Sequence, residues 1–149
     1  MIVVLVVVAI LVVAVFFMYG LFRMIMAAVR RRLLARISEK FRPGEIVMAT
    51  VTCNFMGRES LGAPQMRGNG ALLLTRDALW FLMAAPPREL RIPLDAVTKI
   101  SFVKTHCGKT LLVDLLRVDY EMDGRADAAA WWVRDPMNWK RAIEKCKRA

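Results

Sequence analysis

The sequence predicts a mainly β domain that is closed by a C-terminal α-helix and preceded by a transmembrane helix. Three observations lead to this prediction. The first 22 residues contain no charged side chain. The middle of the chain consists of short strand-like runs separated by glycine, proline and aspartate. The last 15 residues place apolar side chains at helical spacing among lysines and arginines.

The N-terminal run, residues 1–29, is predicted to be a transmembrane anchor helix. Its first charged side chain is Arg23, and a helix of this length, at about 1.5 Å per residue, crosses a hydrocarbon core of roughly 30 Å. An aggregating strand, a buried core helix and a cleaved signal peptide are the alternatives. In lipid, only a helix satisfies the backbone of a single segment. A signal peptide would have a basic leading region and a shorter apolar run. We therefore expect an uncleaved anchor.

Basic residues crowd the C-terminal side of this run. By the positive-inside rule, they predict a single-pass protein of the inner or plasma membrane, with its N-terminus outside and its C-terminal domain in the cytoplasm. They also predict contact with anionic phospholipids, since each basic side chain gains about 1 kcal/mol near an anionic leaflet. These membrane-surface residues are Arg23, Arg30, Arg31, Arg32, Arg36, Lys40 and Arg42.

Residues 30–43 are predicted to continue the helix as a basic juxtamembrane stalk. Proline at position 43, followed by glycine, ends it. The stalk can be a solvated helix that leads into the domain, or a basic amphipathic segment that lies on the membrane, and both interpretations stay open. Four apolar residues share one stripe of the stalk: Leu33, Leu34, Ile37 and Phe41.

The formal net charge of +10 is concentrated in two flanks. Residues 1–42 carry +6 and residues 135–149 carry +3, so residues 43–134 carry only +1. A nucleic-acid-binding domain would be expected to spread positive charge over a folded face, so nucleic acid is disfavoured as a partner. Apposition to a membrane explains the basic flanks.

Cysteine and histidine usage disfavours metal sites and catalysis. The three cysteines have no CxxC pairing and are expected to be free thiols of a cytosolic domain. With one histidine in the chain, we expect no metal and no cofactor. His106 and Cys107 could suggest a base and a nucleophile, but neighbours in a turn point apart and no third group orients the histidine. We expect no catalytic residues, and hence not an enzyme.

The soluble part, residues 44–149, contains seven strand-like runs. Trp131 and Trp132 are neighbours in the last run, so one is expected in the core and the other exposed or under a helix. The runs are residues 45–55, 71–75, 78–83, 89–92, 97–104, 110–120 and 128–133.

The chain ends in the clearest helix signal after the anchor. Asp135 is a favourable N-cap, and Pro136 occupies the first helical position, where its missing N–H costs nothing. Basic residues fill the other face and the last turn. The apolar stripe, which predicts packing on a sheet, consists of Trp139, Ala142, Ile143 and Cys146.

The order of these elements resembles the GRAM and pleckstrin-homology-like (PH-like) superfamily. The resemblance covers residues 44–147 and implies seven antiparallel strands in two nearly orthogonal sheets, a split barrel capped by the C-terminal helix. The matching motifs are residues 44–47 (GEIV), 70–75 (GALLLT), 79–81 (LWF), 91–97 (RIPLDAV) and 109–113 (KTLLV), together with Trp139 and Ile143.

The resemblance implies binding to phosphoinositides or to protein partners. Lipid-binding members carry lysines and arginines on the first strand and the following loop, whereas this chain offers two arginines there and no lysine. We predict a membrane-anchored adaptor whose cytosolic domain binds a protein partner or its own copies. The alternative is an anionic-lipid sensor that uses the basic flanks and a ligand loop formed by Arg58, Arg67, Lys104 and Lys109.

Overall fold

A computed structural model describes residues 1–65 and 67–148, apart from the side chains at positions 5 and 9. Two α-helices flank seven strands, and a short 3-10 turn, Glu59–Leu61, follows the first strand. The elements are α1 (Ile2–Lys40), β1 (Ile46–Arg58), β2 (Gly68–Thr75), β3 (Ala78–Met83), β4 (Arg88–Pro93), β5 (Val97–His106), β6 (Lys109–Met122), β7 (Arg125–Trp132) and α2 (Pro136–Lys147).

α1 is one unbroken helix of 39 residues. It is long and apolar enough to cross a membrane, and the side chains of its apolar part make no contact with the domain that would bury them. The helix ends at Phe41, which takes an extended backbone conformation with φ −120° and ψ 136°. The predicted anchor and stalk are therefore continuous.

The seven strands form one antiparallel sheet in the order β4-β3-β2-β1-β7-β6-β5. β1 joins the two halves, because it pairs with β2 along its length and with β7 near its C-terminal end. Its register shifts between Thr50 and Cys53 and again between Phe55 and Gly57. Such irregularities bend a strand, and Gly57 supplies a φ of +120° that few other residues adopt.

One core lies between the two halves of the sheet. Phe55 stacks on Phe81 with ring centroids 4.8 Å apart, and Trp131 from the other half lies 5.7 Å from Phe55. α2 covers this core with Trp139 and Ile143, both buried. As predicted, Asp135 caps α2: its side chain accepts a hydrogen bond from the amide of Asn138 over 3.0 Å.

The predicted fold class is confirmed: seven antiparallel strands, a C-terminal helix and an apolar N-terminal helix form a mainly β protein. β3 has the predicted bounds. β7 begins earlier than predicted, at Arg125, because the residues after the hairpin turn continue the ladder with β6. Trp131 is in the core, and Trp132 is half-buried on the outer face of the sheet.

Candidate functional site

The stalk packs on the outer face of the sheet. Leu33, Ile37 and Phe41 are 2%, 9% and 9% exposed because they cover Ala71, Leu73 and Leu82 of β2 and β3. Phe41 also meets the Trp80 ring edge-on, with centroids 5.5 Å apart. Neither interpretation of the stalk anticipated this arrangement, in which the stripe faces the domain itself. Leu34, predicted to belong to the stripe, is 45% exposed.

A signal for this packing is present in the strands. β2 is apolar at every position from Ala71 to Leu74, and all four side chains are buried. Alternate residues of a strand face opposite sides, and a continuous apolar run indicates that both faces are covered. The inner face covers the core, and α1 covers the outer one.

Two of the predicted membrane-surface residues hold the stalk in place. Arg36 donates a hydrogen bond to the carbonyl of Met83 over 2.8 Å and forms an ion pair with Glu89. Lys40 pairs with the same Glu89, and its ammonium lies 4.3 Å from the centroid of the Trp80 ring. Electrostatic and cation–π contacts thus add to the apolar packing.

The other five predicted surface arginines are exposed. Arg23 lies over the Tyr19 ring at 5.9 Å, and the Arg42 amide donates to Glu45 over 2.8 Å. Within the described residues, Arg30, Arg31 and Arg32 form no ion pair. A row of three exposed arginines therefore follows the apolar span.

The contacts of α1 show which end of the sheet is nearer to the apolar span. Near the C-terminal end of α1, Phe41 lines the same surface pocket as Thr75, whereas Val29 lines a different cavity together with Gly70 and Asn69. Gly70 lies near the start of β2, where the β1–β2 connection joins the strand. It also pairs with Met83, the last residue of β3, after which the β3–β4 connection begins. The β1–β2 and β3–β4 connections therefore lie at the end of the sheet nearer to the span.

A pocket of about 420 Å³ opens between these two connections; we call it the end pocket. Leu61 and Pro64 line one side, Pro86 lines the other, and the buried rings of Phe55 and Phe81 also contact it. A concave, mostly apolar pocket of this size is typical of a binding site.

The charged groups of the end pocket are largely neutralised. Arg58 is paired with Asp127 and Glu89 with the stalk, which leaves Arg88 exposed and outside the ion pairs of the described residues. A polyphosphate headgroup is held by several cations that are not already paired. The end pocket is instead suited to a ligand group that is apolar and carries little charge.

The four basic residues of the predicted ligand loop differ in their surroundings: two make internal contacts and two are exposed. The Lys109 ammonium donates to the carbonyls of Met56 and Gln65 over 3.1 and 2.6 Å, and Gln65 accepts a bond from the Arg58 amide. Arg67 and Lys104 are exposed and form no ion pair in the described part of the chain. Arg58 and Lys109 thus brace the β1–β2 connection from within.

Asp127 is the centre of a polar cluster that the sequence did not reveal. Its side chain is 6% exposed and accepts hydrogen bonds from Arg58, from Tyr120, and from the amide and hydroxyl of Ser60. Burial opposes ionisation, but the bonds from Ser60 and Arg58 outweigh it and hold the pKa of Asp127 well below its usual range. Burial and Asp127 raise the pKa of Tyr120 to about 12.

His106 and Cys107 serve the fold of the β5–β6 hairpin. The His106 ring is 2% exposed, and its Nε2 lies 3.1 Å from the carbonyl of Gly57. Burial lowers the pKa of His106 and raises that of Cys107, whose thiol contacts the carbonyl of Arg58. Both side chains therefore tie the hairpin to β1.

Solved structures match this chain in fold. One chain of the 8S snRNP assembly intermediate is 8% identical with a TM-score of 0.56, covering 72% of this chain and 85% of that one. The C-terminal domain of an unknown protein from Leishmania infantum is 12% identical with a TM-score of 0.51, covering 83% and 99%. The Vps36 N-terminal PH domain is 13% identical with a TM-score of 0.48, covering 72% and 83%.

No protein-family model and no curated protein matches the sequence. At 8–13% identity, the structural likeness concerns the fold alone. The seven-stranded antiparallel sheet and its C-terminal helix have the architecture expected of the PH-like class. The domain thus has a PH-like fold and is joined to an N-terminal helix that is apolar enough to cross a membrane.

Proposed function

We propose that this protein is a single-pass membrane adaptor whose PH-like domain binds a protein partner at the membrane surface through the end pocket. The observation that carries the proposal is the end pocket itself: it is mostly apolar, and two of its three charged groups, Arg58 and Glu89, are already paired within the chain. A buried apolar anchor surrounded by polar groups is typical of protein interfaces.

We further propose how the protein is oriented in the membrane and to which family its domain belongs. The arginines after the apolar run support a cytoplasmic domain and an N-terminus on the other side of an inner or plasma membrane. The order of motifs from residues 44 to 113 supports membership of the GRAM branch. The activity we propose is binding, without catalysis.

Affinity purification of the full-length protein from membranes, with α1 intact, tests the adaptor function. Leu61 lines the end pocket and is 55% exposed, so Leu61→Asp should release the partner without unfolding the domain. Leu112→Asp is the matched control, because Leu112 is 85% exposed and lies outside the pocket. Light scattering of the purified complex separates a second copy of this chain from a different protein. Recovery of a lone monomer, or equal loss in both variants, contradicts the proposal.

A second candidate function, an anionic-lipid sensor, is supported by the exposed row of Arg30, Arg31 and Arg32. Full-length protein in bilayer discs should then show slower amide exchange at the β1–β2 connection when anionic lipid is present. The protection should fade at high salt, since exposed charges are screened. Identical exchange in neutral and anionic discs contradicts this function.

A further inference from the structure

A second cavity, of about 430 Å³, lies between α1 and the outer face of the sheet. We call it the helix cleft. Met26 and Val29 of α1 form one apolar wall, and Val51 and Trp132 line the sheet side. The helix cleft shares no lining residue with the end pocket.

Four polar residues line the same cleft: Arg30, Thr52, Asn54 and Asn69. Asn54 and Asn69 face each other across the β1–β2 ladder, so their side chains lie on one face of the sheet. Neither amide side chain forms a hydrogen bond within the described part of the chain. Arg30 is exposed and has no ion-pair partner among the described residues. One cation and two amides are therefore available to a ligand.

The position of the cleft along α1 sets its height above the bilayer. Met26 is three residues beyond Arg23 and Leu33 is ten beyond it, so the cleft begins about 5 Å and ends about 15 Å past the charge that closes the apolar run. The headgroup layer on each side of the hydrocarbon is roughly 5–8 Å thick. The lower part of the cleft is thus level with the lipid headgroups, where tryptophan is favoured.

We propose that the helix cleft binds one anionic phospholipid of the adjacent leaflet. Arg30 pairs with the phosphate, and the amides of Asn54 and Asn69 donate to phosphate and ester oxygens. Trp132 and Met26 contact the glycerol and the upper part of the acyl chain. This inference rests on the membrane anchoring in the proposed function and is independent of the protein partner at the end pocket.

Native mass spectrometry of the full-length protein tests the site. The protein is reconstituted in bilayer discs of phosphatidylcholine with a minor fraction of phosphatidylglycerol and then released with its retained lipids. We expect one phosphatidylglycerol per protein. Arg30→Gln should reduce the retained fraction roughly tenfold, as expected for the loss of a charge-assisted hydrogen bond. Added glycerol phosphate should not displace the lipid, because it lacks the acyl chain that contacts the apolar wall.

Arg32→Gln is the matched control, since Arg32 carries the same charge, is exposed and does not line the cleft. Ala27→Phe fills the cleft without removing a charge and should also prevent retention. Any one of three results overturns the proposal. Arg30→Gln and Arg32→Gln could lose phosphatidylglycerol equally, the protein could retain phosphatidylcholine as well as it retains phosphatidylglycerol, or Ala27→Phe could leave the retention of phosphatidylglycerol unchanged. Alkaline extraction from cell membranes distinguishes failure of the anchor from failure of the site: an extractable protein lacks the anchor, whereas a resistant one without bound lipid lacks only the site.

Discussion

Arg36 of α1 donates a hydrogen bond over 2.8 Å to the main-chain carbonyl of Met83, the last residue of β3. The two residues are 47 positions apart in the sequence. With the apolar contacts of Leu33 and Ile37, this bond makes the C-terminal part of α1 a part of the domain. The sheet thus has one orientation relative to α1.

Removing a buried contact between α1 and the sheet should destabilise the protein, whereas changing its exposed neighbour should not. Leu33→Ala leaves a cavity against β2 and should lower the free energy of unfolding by about 2–4 kcal/mol. Leu34→Ala, at a side chain that is 45% exposed, should change it by less than about 0.5 kcal/mol. Chemical denaturation of full-length protein in detergent micelles measures both. Equal effects would show that α1 is not packed on the sheet.

Asp127 should make stability depend on pH in the acidic range. Its folded-state pKa lies below the ordinary value of about 4, so its contribution is present above that pH and is lost as the pH falls. Asp127→Asn should lower the free energy of unfolding by about 1–3 kcal/mol at pH 7, because charge-assisted bonds to Arg58 and Ser60 are lost. The difference from wild type should shrink between pH 5 and about pH 2. Asp123→Asn, at an exposed turn, is the control.

His106 should make stability depend on pH in a higher pH range than Asp127 does. Burial lowers its folded-state pKa below the ordinary value of about 6.5, so stability is full above that value. Below it, the unfolded chain takes up a proton that the folded protein does not, with a slope of at most about 1.4 kcal/mol per pH unit. His106→Gln should lose less stability than wild type between pH 7 and pH 5, as measured by thermal melts. Parallel curves for the two proteins would show that the pKa of His106 is the same in the folded and unfolded chains and would contradict the prediction.

Leu112 should be a site where glycine is stabilising. It has a φ of +56° and is 85% exposed, so its side chain gains little from burial while its backbone is in the left-handed region. Leu112→Gly should raise the free energy of unfolding by about 0.5–1 kcal/mol. Val113→Gly, at the next position of β6, should lower it, because glycine weakens a strand that needs no positive φ. A decrease in both variants would contradict the prediction.

The periodicities of the sequence predicted the helices and strands because each periodicity depends only on which face of one segment is buried. Alternation along residues 97–104 and the stripe from Trp139 to Cys146 depend on one buried face each, and both elements formed as predicted. The stripe of the stalk likewise predicted a helix. It could not identify what covers Leu33 and Ile37, because an apolar face packs equally well on lipid or on protein.

The candidate sites were harder to predict because they depend on register and on distant partners. Asn54 lies opposite Asn69 only through the pairing of β1 with β2. Arg58 was predicted as a ligand for anions, but Asp127, 69 positions away, already binds it. The count of basic residues in a loop does not show which of them are paired, and the sequence offered no signal for that pairing.

The unbroken course of α1 has a mechanical consequence. A helix of 39 residues is about 58 Å long, and its last turns are fixed to β2 and β3. Because no flexible joint interrupts it, rotation of the apolar part about its long axis turns the sheet by the same angle. A torque applied to the apolar part of α1 is therefore transmitted to the sheet.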